Sequence, residues 1–121
     1  IKMIRFKRVD NLSELSYTIN DLRNACKNDR VAWKEHATQR LIQRHIMKAE
    51  AIECVLNGEI IETYISDKPF ASCLVFGYTE RKRPIHVVCS FDGEYIHFIT
   101  AYEPDTIKFY SDLKTRRRNI K

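Results

Sequence analysis

The chain has 121 residues, 44% of them hydrophobic, and its 21 Lys and Arg against 16 Asp and Glu leave a formal net charge of +5. That length suits a single domain built around one core rather than two, and the longest apolar stretches, residues 73–76 and 95–99, fall far short of the ~20 residues that cross a bilayer. The basic opening residues lack the apolar run and small-residue cleavage site of a secretory signal, so a cytoplasmic location without membrane attachment is expected.

Leu12, Leu15, Ile19, Leu22 and Cys26 recur at steps of three and four and predict a first helix, capped by Ser13 or Asp10. After a polar break at 27–30, Trp33, Ala37, Leu41 and Ile42 repeat the pattern and predict a second helix over 33–45. A third follows at 48–57, which carries Ala51, Ile52, Val55 and Leu56, and Gly58 is expected in the left-handed conformation that often ends a helix. From Glu59 the texture turns β-branched and aromatic, predicting strands at 60–65, 73–78, 85–89 and 95–102, separated by turn-forming residues such as Pro69, Pro84 and Asp92-Gly93. Connections this short imply sequential antiparallel hairpins, because a parallel crossover needs about a dozen residues. Past Pro104, the steps of three between Ile107, Tyr110 and Leu113 predict a brief helix within 105–118. The expected fold is α+β, with N-terminal helices packed on a four-stranded antiparallel sheet.

Cys26, Cys54, Cys73 and Cys89 form no Cys-x-x-Cys pair and sit in apolar contexts, which predicts free thiols acting as small hydrophobic side chains. The histidines are scattered, no His-Glu-x-x-His occurs, and three glycines in all leave no phosphate-cradling loop, so neither a metal nor a cofactor is expected.

The positive charge is uneven. Arg81-Lys82-Arg83 and Arg116-Arg117-Arg118 are compact clusters, and His36, Arg40 and Arg44 lie four residues apart, side by side on one helical edge. Such a stripe gains nothing from its own members; it is either a solvated face or the binding site of an anion. His86 sits in the apolar strand around Ile85 and Val87 and alternates to the opposite face, where it is either a core histidine with a backbone hydrogen bond or a general acid or base. Tyr102, at the Pro104 bend, can stack on a base, donate a proton or cap the core. The Arg81–Arg83 hairpin tip is a solvated loop or a phosphate-gripping finger. His97 reads as structural and His45, at the end of the second helix, as a partner of the helix dipole or otherwise unassigned; neither is given a catalytic role.

These landmarks, together with Asn57-Gly-Glu-Ile-Ile-Glu62-x-Tyr64, Asp67-Lys-Pro69, Ser72-Cys-Leu74, Gly77-Tyr78, Arg83-Pro-Ile-His86-Val-Val88, Thr100-x-Tyr102-Glu-Pro104 and Lys114-Thr-Arg-Arg117, resemble in order and spacing a bacterial family of unknown-function domains. Members of that family are often encoded beside YgiT-type zinc-finger antitoxins. It is similar to the RelE and MqsR toxins, whose fold places helices on an antiparallel sheet and whose usual activity is metal-independent mRNA cleavage. The resemblance spans 33–118 and makes 1–30 an N-terminal helical extension of one domain covering 1–121.

The resemblance implies the toxin component of a toxin–antitoxin pair, acting as an RNA endonuclease. His36, Arg40, His86, Tyr102 and Arg117 are its expected catalytic residues, and Arg44, Lys68, Arg81, Lys82, Arg83 and Arg116 its expected RNA contacts. In the scheme a ribose hydroxyl attacks the neighbouring phosphate, one histidine is base, Tyr102 or the other histidine is acid, and Arg40 with Arg117 clamp the phosphate. The expected partners are RNA and a cognate antitoxin. The rival expectation is a non-catalytic module that binds nucleic acid or a protein partner through the same basic face.

Overall fold

The structure, a computed structural model, describes residues 14–117. In chain order these form α1 (Ile19–Lys27), β1 (Val31–Trp33), α2 (Glu35–Gln43), α3 (Lys48–Asn57), β2 (Glu59–Tyr64), β3 (Ser72–Tyr78), β4 (Pro84–Phe91) and β5 (Ile96–Tyr102).

The first helix starts later than its periodicity suggests. Thr18 is the N-cap: its hydroxyl accepts from the Asp21 amide at 3.4 Å, and the Asp21 carboxylate accepts from the Thr18 amide at 2.8 Å. This capping box satisfies two backbone donors that a helix otherwise leaves open. Leu15 still packs on the core from outside the helix, while Leu12, Ser13 and Asp10 lie outside the described residues. The second helix is shorter than expected at both ends: Trp33 belongs to β1, and the helix closes at Arg44 with His45 in the left-handed region (φ 56°). The third has the predicted bounds. Gly58 beyond it is extended (φ −101°, ψ −167°), not left-handed. Its glycine is required by closeness instead: a Cβ there would stand 2.4 Å from the carbonyl oxygens of both Cys54 and Phe76. The last turn of α3 therefore rests directly on β3.

The sheet order is β1-β5-β4-β3-β2. Strands β2 to β5 are the four predicted antiparallel hairpin partners, joined at registers such as Cys73↔Cys89 and His86↔Tyr102. Beside them β1 pairs parallel to β5, Val31↔Ile96 to Trp33↔Phe98, so the sheet is five-stranded and mixed rather than four-stranded and antiparallel. Three residues of intermediate burial carry no alternation that a sequence pattern detects, and β1 and β5 are joined through most of the fold, so hairpin logic does not find the pair.

One sheet face is covered by the helices. Leu22, Leu41, Cys54 and Val55 meet Cys73, Val75, Ile85, Val87, Cys89, Ile96 and Phe98 in an apolar core. All four cysteines are free thiols, as expected, and burial pushes Cys26 up to about 11 and Cys54 up to about 12. The other face is covered by the segment after Glu103. That segment is turns and one bridge, Phe109↔Arg116, rather than the predicted helix. The steps of three mislead: Ile107 is 80% exposed and Tyr110 is also exposed, and the side chain that seals the face is Phe109, at 1%. Phe109 packs with Tyr64 and Leu74, and Ile61, Val88 and Tyr102 border them.

Candidate functional site

A cleft of about 580 Å³ opens between α2 and the C-terminal tail, at the end of β5. Its α2 wall is amphipathic by construction. Ala37 and Leu41 turn inward to the core, which leaves His36, Arg40 and Arg44 on the adjoining edge. Each step of four residues climbs about 6 Å along the axis. Arg44 is tethered: its Nη1 donates to the Ala101 carbonyl at 2.7 Å and to Thr100 Oγ1 at 3.1 Å, with Cζ 5.9 Å from the Tyr102 ring centre. The His36 and Arg40 side chains are exposed and make no hydrogen bond or ion pair among the described residues.

Tyr102 forms the floor, and His86 lies beneath it. His86 is 0% exposed, with Nε2 2.7 Å from the Leu113 carbonyl oxygen and Nδ1 3.3 Å from Tyr102 Oη. A carbonyl only accepts, so Nε2 carries the proton and Nδ1 accepts from the tyrosine hydroxyl. Burial pulls the His86 pKa below its ordinary 6.5, with the Leu113 carbonyl opposing, and Phe109 stands edge-on to the ring at 4.6 Å. His86 is thus a core histidine with a backbone hydrogen bond and does not reach the cleft. Burial likewise raises the Tyr102 pKa, Arg116 opposing, so the group is a phenol.

The far wall is the tail. Arg116 forks onto Glu62, Nε to Oε2 and Nη2 to Oε1 each at 3.0 Å, and lies over the Phe109 ring with Cζ 4.8 Å from its centre. Glu62 is only 3% exposed and also accepts from the Tyr64 hydroxyl. Lys108 projects from the same wall and its side chain makes no hydrogen bond or ion pair among the described residues, while Asp105 Oδ1 accepts from the amides of Ile107 and Lys108. At the β5 end stands Glu103, held by Arg83.

Of the expected site residues, His36, Arg40, Arg44, Tyr102 and Arg116 meet in this cleft, and the others do not line it. Arg83 is an internal clamp. Besides Glu103 it donates to Glu50 at 3.0 Å and to the carbonyls of His45 and Arg44, tying the end of α2 to α3 and β5. Arg117 turns to the Thr106 and Phe109 carbonyls and stacks on Tyr110 at 4.7 Å. Arg81 and Lys82 are exposed on the β3–β4 turn, and Lys68 in the β2–β3 loop. Arg118 lies outside the described residues. Sequence reasoning missed Glu62, Glu103, Asp105 and Lys108. Glu62 had a legible signal, a lone carboxylate inside an apolar strand, which demands a cation from elsewhere in the chain. His97 proves structural in a way the sequence did not spell out, its Nε2 2.7 Å from Asp92. Among the described residues no group of three or more His, Cys, Asp or Glu is placed to hold a metal ion, and no helix is long and apolar enough to cross a membrane.

Residues 33–103 match the family model described as "Domain of unknown function (DUF4258)". The chain belongs to this family. No curated protein and no solved structure matches the sequence. The DUF4258 span runs from the last residue of β1 to Glu103, so it contains the α2 wall, His86, Tyr102 and the Arg83–Glu103 clamp. It leaves out α1 and the tail wall with Lys108 and Arg116.

Proposed function

We propose that this DUF4258 protein is an RNA endonuclease of the RelE and MqsR kind, the toxin of a cytoplasmic toxin–antitoxin pair, cutting RNA without a metal. The observation that carries this reading is the convergence of unpartnered His36 and Arg40 with tethered Arg44 above a phenol, in one cleft. The ribose 2′-oxygen forms its bond to phosphorus as the bond from phosphorus to the 5′-oxygen breaks. His36 takes the 2′-hydroxyl proton, and Tyr102, its hydroxyl turning from His86 Nδ1 toward the cleft, gives its proton to the departing 5′-oxygen. A phenol whose pKa is raised holds its proton until an alkoxide is there to take it. His86, neutral and fixed in one tautomer, positions Tyr102 rather than touching RNA. Arg40 and Arg44 bear the charge of the pentavalent phosphate, a task for forked guanidinium donors. A cognate antitoxin, acidic or of the zinc-finger kind, covers the cleft.

The test is incubation of the purified protein with unstructured RNA in chelator, followed by analysis of product ends. Cyclic phosphate ends that vanish in His36→Ala while RNA binding persists are the expected result. Cleavage indifferent to His36→Ala removes the scheme. A second reading, a binding module without chemistry, is favoured by the sealing of His86, which leaves one histidine facing the cleft. Its signature is RNA binding that His36→Ala leaves intact, with no cleavage by the unaltered protein.

A further inference from the structure

The spacing of the α2 wall carries more than a general affinity for anions. His36, Arg40 and Arg44 rise in two steps of about 6 Å, close to the separation of neighbouring phosphates along an RNA strand. Both ends of this ladder are stopped. Four residues before His36 is Ala32, inside β1, and the residue next to His36 is Glu35. Past Arg44 stands Glu103, which Arg83 fixes in place while also holding the Arg44 and His45 carbonyls. A fourth phosphate beyond Arg44 would meet that carboxylate. The cavity itself, about 580 Å³ between α2 and the tail, has the size of a site for one compact organic group. It has an aromatic floor in Tyr102, and its far wall carries Lys108 and Asp105 beside the Arg116–Glu62 pair.

We infer that the cleft takes a single-stranded segment of three consecutive phosphates laid along α2, one rung per phosphate, with one nucleotide turned into the cavity over Tyr102. This rests on the nucleic-acid reading above but not on its chemistry. A duplex keeps its bases paired and presents none to the cavity, so it binds only through the ladder.

Binding is measured with fluorescein-labelled 2′-O-methyl oligouridylates, which lack the attacking hydroxyl and so separate binding from cutting. Affinity is expected to climb with each added nucleotide up to the tetranucleotide, which has three bridging phosphates, and then to level off apart from statistical gain. The logarithm of the tetranucleotide's affinity should fall against the logarithm of salt with a slope of about −1.4, since each phosphate neutralised by Arg40 or Arg44 contributes roughly −0.7 while neutral His36 adds a hydrogen bond without releasing a counterion. Arg40→Gln should make that slope shallower by about 0.7, Arg40→Lys should restore it, and Arg81→Gln on the remote turn should leave it alone. Affinity that keeps rising past the tetranucleotide, a duplex that competes as well as the single strand, or a slope untouched by Arg40→Gln overturns the inference. RNA cleavage that fails while the length plateau holds would sink only the nuclease scheme; cleavage with no plateau would sink only the three-phosphate track.

Discussion

The two faces of the sheet are buried in different ways. On the helix side the contacts are mostly aliphatic side chains, cysteine thiols and the rings of Tyr17, Trp33, Phe91 and Phe98, with close backbone contact at Gly58 and Gly77. On the tail side a small apolar cluster surrounds a polar network: Glu62 with Arg116 and Tyr64, and His86 with Leu113 and Tyr102. Apolar burial stabilises without specifying a partner for each atom, whereas a buried polar group must find its own acceptor or donor. The helix side therefore holds the fold together, and the tail side fixes orientations, including those of Tyr102 and Arg116 at the cleft.

The sharpest way to break this comparison is to remove a phenyl ring from each side. Phe98→Ala should cost about 3–5 kcal/mol in a denaturant titration, because it empties a site enclosed by strands and helices that cannot collapse. Phe109→Ala removes the same ring from an equally buried position. Its global cost should be clearly smaller, because the tail can lift away as a unit, and the loss should appear instead as faster amide exchange across 105–117. Equal global costs would mean that the tail is as integral as the helices.

Next in size is Arg116→Met, expected to cost about 3 kcal/mol by leaving the Glu62 carboxylate buried without its cation. Adding Glu62→Leu should recover much of that loss, since a pair of apolar residues no longer needs solvation. If the double variant is no better than the single one, the tail side is held by the ring of Phe109 and the network contributes little.

What the sequence disclosed follows the same division. The helix side was largely legible because apolar residues at steps of three, four or two report burial: Leu22, Leu41, Val55 and Val87 sit where periodicity puts them, although Ile42, placed on the same pattern as Leu41, is 71% exposed. The alternation that sent His86 to the face opposite Ile85 and Val87 also holds. The tail side was not legible. Its contacts join residues far apart in the chain, Glu62 to Arg116 and His86 to Leu113, through a segment without regular structure, where no period exists to be read. Arg116 thus read as an RNA contact of the tail cluster until its carboxylate partner was found, and Arg83 looked like part of a basic finger although it is an internal clamp. For the candidate cleft, the α2 rungs came from helical spacing, while the tail wall required coordinates.

Gly58→Ala is a smaller perturbation, confined to the helix side. The added methyl would have to displace two backbone carbonyls at 2.4 Å, separating α3 from β3, for an expected cost of about 1–3 kcal/mol. Thermal unfolding should show it, with cleft binding of the tetranucleotide unchanged in the folded protein. A loss of binding would show that the placement of α2 depends on how tightly α3 is seated.

The smallest effect is one of pH, and it separates the faces without altering packing. The folded protein holds His86 neutral below its ordinary 6.5, because burial disfavours the imidazolium. The unfolded chain therefore binds more protons than the folded one as pH drops past about 6.5, and stability should decline on acidification from there. Asp92, whose pKa is lowered to about 2 chiefly by its hydrogen bond to His97, adds a separate decline as pH falls from 3.8 toward that value. His86→Gln should flatten the first decline and leave the second, as read from urea midpoints between pH 3 and 8. Because the tail seals His86 from solvent, proton uptake there is coupled to lifting of the tail, so the first decline should coincide with faster amide exchange in the tail while the helix side stays protected. An unchanged slope below 6.5 in His86→Gln would place that proton uptake elsewhere, and with it the idea that the tail face is the pH-sensitive half of the molecule would fall.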